Sequence, residues 1–179
     1  MLDLYEELSK PLSIVGNAES IFQNSYGELI DQNDTIRFNR TEIINTKSQG
    51  AKWDYLVSSE INTFEQYNNQ NPKFHSLIFS PTQRKFNYKV KKAKFKTRLF
   101  ILPLFQSEEL QRIMDAPPST GLQILYYLVY IKNKQVNIFG FDFKKTPTFY
   151  ETRNKGKHNW IVEKDFILKL VEKNNWQFY

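Results

Sequence analysis

The chain has 179 residues, 40% of them hydrophobic and 16% aromatic, with a formal net charge of +6 and no cysteine. That length and apolar content suffice to bury a core within a single domain, which excludes a disordered chain. The lack of cysteine excludes disulfides, thiolate nucleophiles and sulfur-ligated metals together, and it fits a reducing cytoplasm.

Residues 2–10 read as a short amphipathic helix stopped at Pro11. Asp3, Glu6 and Glu7 stand where a secretory signal would carry base, so export is not expected. Residues 12–15 are a short buried strand running into the turn Gly16-Asn17, and 19–31 continue as a turn or helix interrupted at Gly27. Strands are expected at 34–38, ending on Asn39, and at 51–59, followed by a polar connection over 62–71 that starts as a helix. Residues 75–80 form a strand stopped by Pro81, and 98–103 form another, before Ser107, Glu108 and Glu109 open a capped helix. The run 116–121 separates it from an apolar helix over 122–131; a strand at 135–140 and a polar loop over 142–156 follow. Residues 158–174 carry helical spacing at Ile161, Phe166, Leu168, Leu170 and Val171. Strands alternating with helices predict an α/β domain with a mostly parallel sheet covered on both faces. The longest apolar runs, such as 99–105, fall far short of the roughly 18 residues that cross a bilayer.

Several stretches carry chemistry. A strand end, a glycine turn and a helix start, as at 12–19, is where open α/β sheets bind phosphorylated ligands, because unpaired backbone N–H groups point at the anion. Neither Gly-x-Gly-x-x-Gly nor Gly-x-x-x-x-Gly-Lys-Ser/Thr occurs, so the dinucleotide and P-loop readings lose their warrant. Pro118-Ser119-Thr120-Gly121 before an apolar helix offers hydroxyls, a glycine permitting close approach and a helix N-terminus, although alone it reads first as an ordinary N-cap. His158 precedes Glu163 by five positions; a neutral imidazole is a base available near pH 7, which a neighbouring carboxylate can orient. The other histidine, His75, matches no motif and reads as structural.

Val15-Gly16-Asn17, Tyr26-Gly27-Glu28-Leu29-Ile30-Asp31 and Asp34-Thr35-Ile36-Arg37-Phe38-Asn39 together resemble the large sialylmotif of the animal-type sialyltransferases, glycosyltransferase family 29. The segment 118–141 resembles the small sialylmotif, and His158 to Glu163 resembles the very small one, in the family's order. The resemblance implies a Rossmann-like, GT-A-like variant and a metal-independent, inverting transfer from a CMP-sugar, with no cofactor beyond that donor. It further implies that Asn17 and Asn39 contact the nucleotide, that Gly16 opens the turn, that Ser119, Thr120 and Gly121 cradle the phosphate, and that His158 is the general base beside Glu163. Thr148-Phe149-Tyr150-Glu151 resembles the family's short aromatic motif, with Thr148 where a histidine commonly assists the departing phosphate; Tyr150 or Arg153 is then the expected substitute. No Asp-x-Asp or His-rich metal cluster is present. Lacking the family's disulfide, the chain looks like a compact bacterial relative that acts in the cytoplasm on a surface glycan.

Much of the positive charge lies between Arg84 and Arg98, at Lys85, Lys89, Lys91, Lys92, Lys94 and Lys96 besides. Such a run suits an anionic membrane face or an acidic or lipid-linked glycan acceptor, and equally a solvated edge strand guarded by lysines. A competing class is a non-catalytic nucleotide- or nucleic-acid-binding module, with Phe86, Tyr88 and Phe95 interleaved among the lysines as stacking platforms. That class leaves the late His-Glu motif unexplained.

Overall fold

The computed structural model describes residues 3–69, 74–82, 95–150 and 158–179. Among the described residues seven strands form one sheet, β1 (Leu12–Val15), β2 (Asp34–Phe38), β3 (Tyr55–Ser58), β4 (Ser76–Phe79), β5 (Arg98–Ile101), β6 (Val136–Phe139) and β7 (Gln177–Phe178), in the order β5-β4-β3-β2-β1-β6-β7. Every pairing between them is parallel. The chain winds outward from β1 to β5 on one side, then returns to lay β6 and β7 on the other. The order therefore reverses between β1 and β6, and their carboxyl ends flank the crevice in which open α/β sheets take ligands.

Parallel strands are buried on both faces, and the strand residues divide accordingly. Leu12, Ile14, Ile36, Phe38, Tyr55, Val57, Ile78, Val136 and Ile138 join one core cluster. It is closed by α5 (Leu104–Met114), α6 (Thr120–Leu128) and α7 (Trp160–Lys173), through Leu110, Met114, Leu122, Leu125, Leu128 and Ile167. On the opposite face Leu56, Leu77 and Phe79 pack on Phe64 of α4 (Ile61–Asn69), while Val15 and Phe139 pack on Ile21 and Ile30. Ile21 lies in a 3₁₀ turn (Glu19–Gln23), and Ile30 in α2 (Gly27–Ile30). Between these two apolar patches sits the fully buried Arg37, donating to the carbonyls of Lys52 and Gln49 at 2.8 Å each. Burial lowers its guanidinium to about 10 against the pull of Asp31 and Asp54.

The expected α/β fold with a parallel sheet is thus the observed one, and the differences are local. The first helix, α1 (Leu4–Glu7), is one turn, and a one-turn α3 (Thr46–Gln49) lies where no element was expected. The short edge strand β7 was likewise missed. On α7 the inward stripe is the buried Glu163 and Ile167 with the half-buried Phe166, Leu170 and Val171, whereas Ile161 and Leu168 face outward. Of the basic run, residues 84–94 lie outside the described residues. Arg98 begins the edge strand β5 and pairs with Glu7 at 2.9 Å. Phe95 meets Phe64 edge-to-face at 6.0 Å and is part of the core, which removes it as a free stacking platform for nucleic acid. His75 lies on the surface, 3.6 Å from Asp54. Among the described residues no helix is long and apolar enough to cross a membrane.

Candidate active site

The carboxyl ends of β1 and β6 approach closely, with Gly16 N–H donating to the Phe139 carbonyl at 2.7 Å. A Cβ at Gly16 would lie 2.2 Å from the Gly140 carbonyl oxygen, so only glycine permits this crossing. Above it opens a cleft of about 460 Å³, a size that takes a small ligand. The ends of β1, β2, β3 and β6 wall it together with the N-termini of α6 and α7. Gly16, Asn17, Asn39, Ser119, Thr120, Gly121, Tyr150, His158 and Glu163 all line it, although they span most of the chain's length. His75 does not.

Asn17 is 8% exposed and donates through Nδ2 to the Phe38 carbonyl at 2.9 Å and to the Tyr150 hydroxyl at 3.3 Å. A carbonyl only accepts, so the amide orientation is fixed and Oδ1 is the atom left over. That Oδ1 is buried without a partner, which a donor on a bound ligand would remedy. Asn39 sits in the left-handed region at φ 52, its N–H bonded to the Val57 carbonyl at 3.0 Å. Its Oδ1 accepts from Ser58 Oγ at 3.1 Å.

Ser119 caps α6, its Oγ accepting from the Leu122 N–H at 3.1 Å, and the same hydroxyl donates to Glu163 Oε1. Its N–H donates to Glu163 Oε2 at 3.1 Å. The N-cap reading of Ser119 is thus the observed one, and both its hydroxyl and its N–H donate to Glu163. Thr120 and Gly121 line the cleft in the first turn of α6, where N–H groups have no intrahelical acceptor and the helix dipole is positive. The bare face of Gly121 lies against the Phe141 ring, where a Cβ would meet Cε1 at 2.7 Å. This glycine serves helix packing on an aromatic side chain as well as access to the cleft.

His158 donates from Nδ1 to the Pro117 carbonyl at 2.7 Å, since the carbonyl can only accept. In the neutral imidazole Nε2 then holds the lone pair. The sequence pointed to Glu163 as the group that orients this ring, but its hydrogen bonds go to Ser119. Burial pushes the Glu163 carboxyl up, opposed by the Ser119 hydrogen bonds and by the nearby His158. With Asn159 Nδ2 donating to the Met114 carbonyl at 3.4 Å, three contacts stitch the start of α7 to the segment between α5 and α6.

The far wall is the loop after β6, which brings in one charged side chain that sequence reasoning passed over. Lys144 Nζ donates to Thr148 Oγ1 at 2.7 Å and lies 5.9 Å from the Trp160 ring centroid. Only the chain path could reveal it, because a lone lysine in a polar loop carries no motif. Among the described residues no group of three His, Asp or Glu side chains could hold a metal ion.

Neither a protein-family model nor a curated protein sequence matches the chain. Solved structures do. A mammalian sialyltransferase in complex with Gal-beta-1-3GalNAc-ortho-nitrophenol matches all of this chain and 74% of that one, with a TM-score of 0.76 at 16% identity. CstII from Campylobacter jejuni with cytidine-5'-monophosphate matches 95% of this chain and 79% of that one, with a TM-score of 0.68 at 15% identity. A CST-II structure holding a trisaccharide acceptor and CMP matches at a TM-score of 0.63 and 15% identity, over 95% of this chain and 80% of that one. The fold is that of the sialyltransferases. Within the sialyltransferase fold, the cleft at the β1/β6 switch point gathers the three sialylmotif-like segments into one wall and floor.

Proposed function

We propose that this chain is a CMP-sugar-dependent, inverting glycosyltransferase that moves sialic acid, or a related keto sugar acid, to a hydroxyl of a glycan acceptor. The observation that carries the reading is the pairing of His158 with the α6 N-terminus across one cleft. A base with its lone pair on Nε2 stands near a cradle of N–H groups built for an anion. The solved complexes of the structural neighbours with CMP, and with CMP plus a trisaccharide acceptor, support the same pair of ligands here.

In this reading His158 Nε2 accepts the proton of the acceptor hydroxyl while that oxygen bonds to the anomeric carbon. The bond from that carbon to the phosphate oxygen breaks on the opposite face, and CMP leaves with the electron pair. The buried Oδ1 of Asn17 takes a donor from the nucleotide, and Asn39 Nδ2 supplies one to it. Thr120 and Gly121 N–H groups, with Tyr150, meet the phosphate. Metal independence follows if this preorganised array offsets the developing charge without a cation. The basic residues between Arg84 and Arg98 bring the enzyme to an anionic membrane face or acidic glycan, each adding on the order of 1 kcal/mol near such a surface.

The test is a melting curve with CMP, followed by product formation from a panel of CMP-sugars with simple galactosides. A ligand at about 100 times its Kd adds roughly 2.7 kcal/mol of stability. A melting temperature unmoved by saturating CMP, in folded protein, removes the reading.

A further inference from the structure

We propose that Lys144 is the cation that receives the departing phosphate, with Thr148 as the residue that holds it in position; this rests on the CMP-sugar reading above. The charged side chains lining the cleft among the described residues are Arg40, Glu60, Asp142, Lys144, Glu163 and the ionisable His158. Arg40 lies at the exposed rim, 3.8 Å from Glu60. Glu163 is buried against Ser119, and Asp142 accepts from Thr146 N–H at 2.9 Å. His158 is the base, and a base that has just gained a proton from the acceptor cannot also be the standing countercharge for the donor. Lys144 is a cation of the cleft wall itself, away from that rim.

Its position is built. Phe143 and Lys144 are consecutive left-handed residues, at φ 57 and φ 64, a conformation that costs L residues and that clusters at functional sites. The loop is tied down on its C-terminal side. Glu19 N–H donates to the Pro147 carbonyl and Phe149 N–H to the Asn17 carbonyl, each at 3.1 Å. Within it, Thr148 Oγ1 accepts from Nζ at 2.7 Å, and the Trp160 ring lies 5.9 Å from Nζ. The same Trp160 meets the His158 ring edge-to-face at 4.9 Å, so the cation and the base are indexed on one indole. Thr148 thus has a function at its motif position: it aims an ammonium where a charged side chain of its own would otherwise be needed.

In the transfer step the anomeric C–O bond breaks and both electrons pass to the phosphate oxygen of CMP, which gains one unit of negative charge. The ammonium meets that charge and keeps its proton, so no co-reactant is needed.

The experiment compares wild type, Lys144→Met, Lys144→Arg and Thr148→Val, each verified by melting curve. Calorimetry reads binding of CMP and of cytidine, and single-turnover assays read CMP release. Lys144→Met is expected to weaken CMP about tenfold or more while leaving cytidine unchanged, and to slow transfer by about 10²-fold. Lys144→Arg restores most of the rate, and Thr148→Val, which keeps the charge but removes the Oγ1 contact, falls between. Lys144→Met with wild-type CMP affinity and wild-type transfer overturns the proposal and leaves the CMP-sugar reading standing. Wild type that binds neither CMP nor cytidine overturns both. An equal loss of CMP and cytidine binding also overturns it, since that marks a collapsed cleft rather than a lost phosphate contact. If Lys144→Met does not fold, Thr148→Val decides alone: unaltered transfer at unaltered stability refutes the positioning role.

Discussion

Removing the Ser119 hydroxyl tests the contact that joins the cleft's two helix starts. Ser119→Ala deletes the N-cap of α6, worth about 1 kcal/mol. It also takes the hydroxyl donor from Glu163, which is 2% exposed, and a buried group losing a partner costs about 1–3 kcal/mol. The sum is about 2–4 kcal/mol, which for a chain of this size lowers Tm by roughly 5–15 °C. Glu163→Gln keeps one acceptor oxygen but turns an NH₂ toward a donor, so it too is destabilising, and the double variant is less destabilised than the sum of the singles. pH supplies an independent axis. Burial raises the Glu163 carboxyl above its ordinary value of 4.5. The stability it contributes is therefore fully present below that value and is lost as pH rises through the raised one. The glutamine does not titrate, so the deficit of Glu163→Gln relative to wild type should shrink as pH rises. Melting curves of the four proteins between acid and neutral pH check all of this. A Ser119→Ala variant melting within about 1 °C of wild type at neutral pH, or singles that simply add, refutes the reasoning.

His158→Ala should lower transfer by about 10²–10⁴-fold while CMP binding stays nearly intact, read from initial rates and calorimetry, with the surface residue His75→Ala as control; near wild-type turnover refutes the base assignment. Gly121→Ala places a Cβ 2.7 Å from the Phe141 ring, so about 1–3 kcal/mol of stability and part of the CMP affinity should be lost, and an unchanged Tm contradicts the packing role. Transfer should persist in excess EDTA; loss there with recovery on adding magnesium or manganese overturns metal independence. Cosedimentation with phosphatidylglycerol vesicles should exceed that with neutral vesicles and fall with salt, and equal binding to both removes the membrane contact.

By itself the sequence determined the order and kind of most elements and the stretches that carry chemistry. Apolar runs within 12–15, 34–38, 51–59, 75–80, 98–103 and 135–140, set between helical periods and glycine or proline breaks, were enough for a parallel α/β sheet. The segments at 16–17, 119–121 and 158–163 marked the cleft, because a turn glycine, an N-cap serine and a histidine before a helix are local signals. The one-turn α3 and two-residue β7 were illegible, being too short to show a period. On α7 apolar spacing suggested Ile161 and Leu168 for the core, whereas the chain path turned Glu163 and Ile167 inward and left those two outside. Only tertiary structure decided the partners: the Pro117 carbonyl for His158, Ser119 for Glu163, Phe141 for Gly121, Thr148 and Trp160 for Lys144. Which nitrogen of a neutral His158 keeps its lone pair depends on a backbone carbonyl 41 residues away, and a carbonyl has no residue identity to read. Side-chain chemistry is written locally, but which lone pair or proton remains for a ligand depends on what the fold has already engaged.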